Sequence, residues 1–421
     1  MQFLRNILDN IEPKVKGNKF LHTVFDGFDT FLFAPKTVTK GPGVHIRDGV
    51  DLKRTMVMVV LALQACLLFG MWNIGHQHYT AFNLYSGTGD ALFTKFLYGF
   101  LQMLPIIIVA NVVGLGIEFI FAAKKGHPIE EGYLVSGMLI PLIMPPDIPL
   151  WMLAISIIFA VVIAKEAFGG TGMNILNIAL TARVFLFFAY PTEISGDLCW
   201  VAFDYNILHS IFGMEGATLQ ALGMSAVPAE GWRSLMVDGF SGATPLGLAA
   251  AGGWDAVTQA TLPNGAAQYS ISNLFFGIIP GSIGETCKPA ILFGMAMLIA
   301  IGVASWRIML SMLMGAIAMG LLFNVLGGNP FLEVPFYHHL IMGSFLFAMV
   351  YMATDPVTAA QSNTGKWIYG FGIGAVGMIV RVLNPAYPEG WMLAILLLNV
   401  FAPTIDHFIY QRNIKRRLSR A

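Results

Sequence analysis

The sequence predicts an all-α, polytopic membrane protein with about ten transmembrane helices and one long external loop. Three observations carry that prediction. Of 421 residues, 56% are hydrophobic and 11% charged, against about a quarter charged in an average soluble domain, and the mean hydropathy is +0.69. Apolar runs recur at lengths near the roughly 20 residues that a helix needs to cross a bilayer. Lys and Arg gather on one side when those runs alternate in direction. The formal net charge is zero, so nothing in the charge balance points to nucleic acid as a partner. Cys66, Cys199 and Cys287 are odd in number and far apart, so they supply neither a disulfide framework nor a Cys-x-x-Cys metal or redox pair.

Residues 1–54 read as a cytoplasmic extension. Lys14, Lys16, Lys19, Asp26, Asp29, Lys36, Lys40, Arg47 and Asp51 interrupt short apolar runs, no cleavable leader is expected, and 3–11 and 20–33 suit amphipathic helices on the membrane or on a partner. Spans are expected at 55–73, 96–122, 133–144, 149–165 and 174–190, making a first membrane half over 55–190. The third is short and runs into Pro145-Pro146, which predicts a broken helix buried within protein. Residues 191–287 form the external loop, with a surface helix expected at 206–222 and a short hydrophobic dip at 274–279. Further spans at 288–304, 307–326, 339–353, 367–383 and 390–409 make a second half over 288–409, before a basic tail over 410–421.

With the spans alternating, the head, Lys124-Lys125, Lys165, Arg307, Lys366 and the tail from Arg412 to Arg417 share one side, which positive-inside counting makes cytoplasmic. The external loop then carries Glu193, Asp197, Asp204, Glu215, Glu230, Asp238, Asp255 and Glu285 against Arg233. A connection of this length calls for a function of its own. An internal echo bears on whether the halves are inverted five-helix repeats: Pro146 to Ile155 resembles Pro385 to Ile395. It joins spans four and ten, not equivalent spans of two halves, so shared helix-entry chemistry accounts for it as well as duplication does.

Within the loop, Gly242 and Ala243 clear space before the Thr244 hydroxyl, and Asp238 stands six residues upstream. A lone threonine is a poor nucleophile, and the stretch taken by itself reads as a Gly/Ser turn. Residues 215–218, Glu-Gly-Ala-Thr, share the ending but have Phe212 where Asp238 would match. Thr218 is therefore assigned no function.

The stretch 238–244, Asp-Gly-Phe-Ser-Gly-Ala-Thr, resembles the flavinylation motif Asp-x-x-Ser/Thr-Gly-Ala-Thr, in which a dedicated flavin transferase attaches FMN to the last threonine through a phosphoester. The likeness extends along the chain through 47–54, 164–172, 185–191, 279–285, 352–356, 384–390 and 413–418. These stretches are similar to the B-subunit family of the sodium-translocating NADH:quinone oxidoreductases, with the D subunits of the Rnf complexes as near relatives. Gly49 stands where that family has serine. The resemblance implies a ten-helix, multi-pass protein of the bacterial inner membrane with cytoplasmic termini, active within a six-subunit complex. It implies covalent FMN at Thr244, with Asp238, Ser241, Gly242 and Ala243 completing the motif, non-covalent riboflavin, ubiquinone as acceptor and Na+ as the transported ion. Electrons then pass from an FMN-bearing external subunit to FMN, riboflavin and quinone, and enter the complex through an NADH-oxidising FAD/iron-sulfur subunit.

The glycines at 169, 170 and 172 allow a backbone to approach a planar ring, and Asn174 and Asn177, three apart at a helix start, share a face. Taken alone this is a loop followed by a helix cap; the resemblance makes both asparagines riboflavin ligands, with Ile178 where the family has proline. Charges within spans carry a functional presumption. Arg183 and Arg381 read as interhelical pairing or snorkelling residues, whereas Asp26, Glu118, Asp355 and Asp406 match carboxylates that the resemblance places on a sodium path. It also places Gly114 at the quinone, beside Leu115 where the family has a second glycine, and Phe185 and Phe187 near it. Gly-x-Gly-x-x-Gly after a strand and a Gly-Lys-Ser/Thr loop are both absent from the sequence, which assigns no NADH or ATP site to this chain. His338, His339 and His407 fall at span ends, leaving no mid-span pair for haem. Without the resemblance, the spans, the broken third helix and the acids also suit a non-redox secondary transporter or channel.

Overall fold

The computed structural model describes residues 52–82, 85, 87–125, 132–194, 199–202, 242–262, 265–384 and 390–420, with scattered positions between 9 and 29. All regular elements among the described residues are helical, apart from an isolated bridge between Thr261 and Ala267. The first group comprises α1 (Leu52–Ala81), α2 (Leu92–Lys125), α3 (Tyr133–Ile143), α4 (Leu150–Phe159) and α5 (Ile178–Ala189). A π-helical turn over Ala160–Lys165 and a 3-10 turn over Glu166–Phe168 prolong α4. Next come α6 (Pro245–Gln259) and α7 (Ile271–Phe276), then α8 (Lys288–Ile301), α9 (Trp306–Leu326), α10 (Phe336–Ile341), α11 (Phe345–Phe347, continued as a π turn over Ala348–Met352), α12 (Asn363–Leu383) and α13 (Trp391–Leu418). Among the described residues, six helices are long and apolar enough to cross a membrane: α1, α2, α4 with its extension, α9, α12 and α13. The chain is a multi-pass membrane protein. Shorter apolar helices, α3, α5 and α8, lie among them.

Contacts along the helices fix their directions. Gln102 of α2 donates to the Pro146 carbonyl just ahead of α4 (3.3 Å), and Lys125 at the end of α2 pairs with Glu166 at the end of α4 (2.9 Å), so these helices run parallel. Likewise Arg307 and Ser311, early in α9, bond to Asn363 and Lys366, early in α12 (3.0 and 3.3 Å), and this pair is parallel too. Lipid tails offer helices no hydrophobic drive to associate, so close backbone approach through small residues takes its place. Gly315 faces the Phe371 backbone, while Gly370 and Gly374 face Ile308 and Met312. Ile108, Val112, Leu321, Ile368 and Val400 turn outward.

The structure differs from sequence expectation at several boundaries. Span one, expected to stop at 73, continues to Ala81 through Asn73, His76, Gln77 and His78. These polar groups are buried with partners: Asn73 donates to the Ile279 carbonyl (3.0 Å), and His78 meets the Ala202 carbonyl (2.6 Å). The eighth span joins the third as a broken element, since the backbone leaves helical geometry between α10 and α11. The dip expected at 274–279 is instead the end of α7, closed by Gly277 in the left-handed region, with Leu274 buried and Phe275 and Phe276 facing outward. With α6, the 277–287 stretch and the 327–342 segment, α7 builds a lobe whose core includes Leu246, Val257, Tyr269 and Phe331. Trp254 stacks on His338 at 3.6 Å to close it. The helix expected at 206–222 lies outside the described residues.

Candidate functional site

Thr244 is the N-cap of α6, with extended backbone, and its Oγ1 accepts the Gly247 N–H (3.1 Å) ahead of Pro245 at the first helical position. Gly242 and Ala243 are buried, Thr244 only half-buried. The Tyr269 hydroxyl donates to the Ala243 carbonyl and ties this entry strand to the lobe. The hydroxyl therefore sits at the N-terminus of α6, which is kinked at Gly252 and Gly253. Asp238 and Ser241 lie outside the described residues.

A second site is a cleft, open to its surroundings, where α1, α3, the 169–177 loop, the end of α8 and the 354–357 turn converge. The loop has positive φ at Gly169, Gly170 and Gly172 (127°, 108° and 84°), a backbone that side-chain-bearing residues rarely adopt. Asn174 and Asn177 both line the cleft, but not as two residues on one helix face: α5 begins at Ile178, Asn177 is its N-cap and Asn174 lies in the loop. Asn177 Oδ1 accepts the Leu180 N–H (3.1 Å), and its Nδ2 donates to Asp355 Oδ2 (3.3 Å) across 178 residues of chain. Val357 N–H donates to the other oxygen of Asp355 (3.0 Å). Behind them the Asn399 amide of α13 donates its N–H to the Tyr369 hydroxyl (2.6 Å) and accepts the Asn177 backbone N–H on its oxygen (3.3 Å). Asn177 is thus held by Leu180, Asp355 and Asn399, whereas Asn174 donates locally, to the Leu176 carbonyl (3.3 Å). The cleft is lined mostly by apolar side chains, with Thr171, Asn174, Asn177, Thr354 and Asp355 as polar groups that can direct hydrogen bonds into it.

Of the four sequence-nominated acids, the three among the described residues, Glu118, Asp355 and Asp406, have different partners. Asp355 lines the cleft. Glu118 of α2 forms a buried ion pair with Lys165. Asp406 of α13 accepts from the backbone N–H groups of Gln361 (2.6 Å) and Ser362 (3.1 Å) and from the Ser362 hydroxyl, holding the turn that starts α12. Asp26 lies outside the described residues. Lys165 corrects an expectation: counted as a cytoplasmic loop base, it is 1% exposed.

The quinone candidates have different neighbours. A Cβ at Gly114 would overlap the Tyr133 ring of α3, whose hydroxyl donates to the Ala110 carbonyl (2.8 Å). Leu115 packs at the edge of the main core. Phe185 stacks on Phe159 of α4 (4.6 Å between centroids), and Phe187 meets Phe188 edge-on. Gly114→Ala is expected to displace Tyr133 and cost about 1–3 kcal/mol as overpacking, read as a lower melting temperature in detergent. An unchanged melting temperature would show that α3 is not wedged here.

The buried arginines cap broken helices. Arg183 donates to the Ile143 carbonyl at the end of α3 and to Ser282 (3.1 Å), and pairs with Glu285 (3.5 Å). Arg381 donates to the carbonyls of His339 (2.6 Å) and Met342 (3.2 Å) at the end of α10. Lys288 serves the next turn, donating to the Glu285 and Gly343 carbonyls (2.9 and 3.2 Å). Sequence reasoning missed Lys165, Tyr369 and Asn399 as parts of the site. The available signal for Lys165 was opposite charge at matching helix ends, Glu118 and Lys125 on α2 against Lys165 and Glu166 at the end of α4.

The comparisons with known proteins agree in direction. A family model described as the NQR2, RnfD, RnfE family matches residues 39–415. A protein of Chromohalobacter salexigens, named as the B subunit of Na(+)-translocating NADH-quinone reductase, is 42% identical over 99% of this chain and 96% of its own length. Proteins of the same name from Stutzerimonas stutzeri and Pseudomonas aeruginosa are 42% and 41% identical, each over 99% of both chains.

Proposed function

The chain belongs to the NQR2, RnfD, RnfE family, and from that premise we propose that it is the membrane subunit of a sodium-translocating NADH:quinone oxidoreductase. The observation that carries this reading is the 41–42% identity to subunits of that name over 99% of the chain. It favours this complex over the Rnf-type relative and over a transporter without redox centres. The subunit works within a six-subunit complex of the bacterial inner membrane, beside an FMN-bearing external subunit and an NADH-oxidising FAD/iron-sulfur subunit. A flavin transferase matures it.

Ten crossings in two inverted halves, 55–190 and 288–409, fit the helix directions. In each half two long helices run parallel, α2 with α4 and α9 with α12, which calls for a returning crossing between them; the broken α3 and the broken α10–α11 supply it. The first helices of the halves are antiparallel, because Gly294 of α8 faces Ala62 of α1 while Val303 and Ala304 reach the cleft beside Thr55 and Met56. The last helices are antiparallel too, since Asn177 and Arg183 of the α5 region meet Asn399 and Trp391 of α13 in reverse order.

In this reading Thr244 anchors FMN on the external side, and Asp238, Ser241, Gly242 and Ala243 make the transferase's recognition stretch. Riboflavin occupies the cleft, where Asn174 reads the polar ring edge and Asn177 is held in place by Asp355, Asn399 and Leu180. The two flavins supply electron carriage between the donor subunit and ubiquinone. Gly114, Leu115, Phe185 and Phe187 would serve the quinone, and Asp26, Glu118, Asp355 and Asp406 the sodium path, Asp355 being the one in the cleft wall. Quinone reduction by the purified complex is expected to rise with sodium; indifference to sodium would remove the pump. Asn177→Ala loses the α5 cap, worth about 1 kcal/mol, and the Asp355 contact. Acid extraction should then yield less riboflavin while covalent FMN stays at wild-type level; undiminished riboflavin would place it elsewhere.

A further inference from the structure

The end of α13 has no role in the sites described so far. Asp406 ties this helix to the start of α12, and α13 then runs on to Leu418 with every residue from Gln411 to Arg420 exposed. Aromatic side chains mark the level of the membrane surface at this end. Trp306 and Trp367, in the first turns of α9 and α12, meet edge-on at 6.0 Å, and Arg307 lies over the Trp306 ring at 5.2 Å, an arrangement suited to the headgroup layer. Arg307 bonds to Asn363, and the adjacent Ser362 bonds to Asp406, so α13 enters that layer near Asp406. At 1.5 Å per residue the helix continues for about 18 Å to Leu418. One headgroup layer is only roughly 5–8 Å deep.

This projecting segment is sorted by face. Tyr410, Ile414 and Leu418 recur every four residues along one side, 50%, 49% and 70% exposed, while Arg412, Lys415 and Arg416 line a shallow groove along another. No Asp or Glu follows Asp406 in the sequence. The helix dipole favours bases in the last turn, but it accounts neither for Arg412, which lies before that turn, nor for the apolar stripe. The chain's own head does not supply the complementary charge, because Lys and Arg slightly outnumber Asp and Glu over residues 1–51. We propose that residues 410–420 are a docking surface for anionic phospholipid: Arg412, Lys415, Arg416 and Arg420 pair with headgroup phosphates, and Tyr410, Ile414 and Leu418 rest against the acyl boundary. Basic side chains flanking an apolar stripe can snorkel to the phosphates while the stripe stays down. A soluble anion leaves the stripe without a partner; a lipid occupies both faces.

The test is amide hydrogen exchange over residues 411–420, read by mass spectrometry on the whole purified complex in nanodiscs of phosphatidylcholine alone or with added phosphatidylglycerol. In wild type the anionic lipid is expected to slow exchange about tenfold, a modest share of what four bases near a charged surface can supply, and high salt should reverse the effect. Arg412→Gln, Lys415→Gln, Arg416→Gln and Arg420→Gln together should abolish the difference between the two nanodiscs; these side chains are exposed, so the fold is not at stake. Ile414→Ser with Leu418→Ser should reduce the same ratio with the charge unchanged. If the quadruple variant keeps the wild-type ratio, the bases do not carry the contact and the proposal fails. If inorganic phosphate slows exchange in phosphatidylcholine nanodiscs as the lipid does, the surface takes free phosphate and the lipid assignment is overturned. Wild-type exchange equally slow in both nanodiscs would mean that a protein partner covers the tail, and equally fast that it stands in water; either result overturns the proposal.

Discussion

A Thr244→Ala chain is expected to run dark under ultraviolet light on a denaturing gel, whereas wild type co-expressed with the flavin transferase fluoresces. A phosphoester needs the threonine oxygen, and no neighbouring hydroxyl in the Gly-Ala-Thr segment replaces it. Alanine also removes the N-cap that receives the Gly247 N–H, at about 1 kcal/mol, so darkness alone would not separate a missing acceptor from a frayed α6. Two companions make the separation. Thr244→Ser keeps both oxygen and cap and should retain fluorescence; Thr244→Asn keeps a capping oxygen but offers no hydroxyl, and should be dark in a folded complex. Thr218→Ala should match wild type. Fluorescence surviving in Thr244→Ala would move the attachment to another residue.

Arg183→Met is expected to have the largest effect on stability. The guanidinium is 4% exposed. It joins the last carbonyl of α3, the Ser282 hydroxyl and the Glu285 carboxylate, and lies over the Trp200 ring at 5.7 Å. Its removal strands a buried carboxylate and an uncapped helix end together, and breaking one side of such a pair costs about 3–5 kcal/mol. The melting temperature of the detergent-solubilised complex should fall steeply. Glu285→Gln in the same chain should restore part of the loss, since the stranded charge is gone. A melting temperature within error of wild type would mean that water or lipid headgroups reach this arginine, and that α3 is held by packing alone.

Much of the membrane scaffold was legible in the sequence because apolar length is a local property. Spans 307–326 and 367–383 coincide closely with α9 and α12, and the break after α3 followed from Pro145-Pro146. The end of α1 was not legible, because Asn73 and His78 are tolerable in a helix only once the carbonyls of Ile279 and Ala202, more than a hundred residues away, are there to meet them. The same holds for α10 and α11. No proline marks that break; Arg381, brought from α12, satisfies the carbonyls that it exposes. At the cleft, the glycine run and the asparagine spacing announced a site but misplaced Asn174, since only the backbone decides where a helix begins.

By itself the sequence determined that this is a helical, multi-pass membrane protein, and it singled out Thr244, the glycine loop and the intramembrane charges. Each of these follows from residue type and spacing along the chain. Tertiary structure decided which charge meets which. It moved Lys165 from the surface to Glu118, gave Asp406 to the α12 turn, and joined Asn177 to Asp355. The reason is physical. In low dielectric a charge or polar group is defined by the partner within hydrogen-bond reach, and those partners lie on helices that only packing brings together.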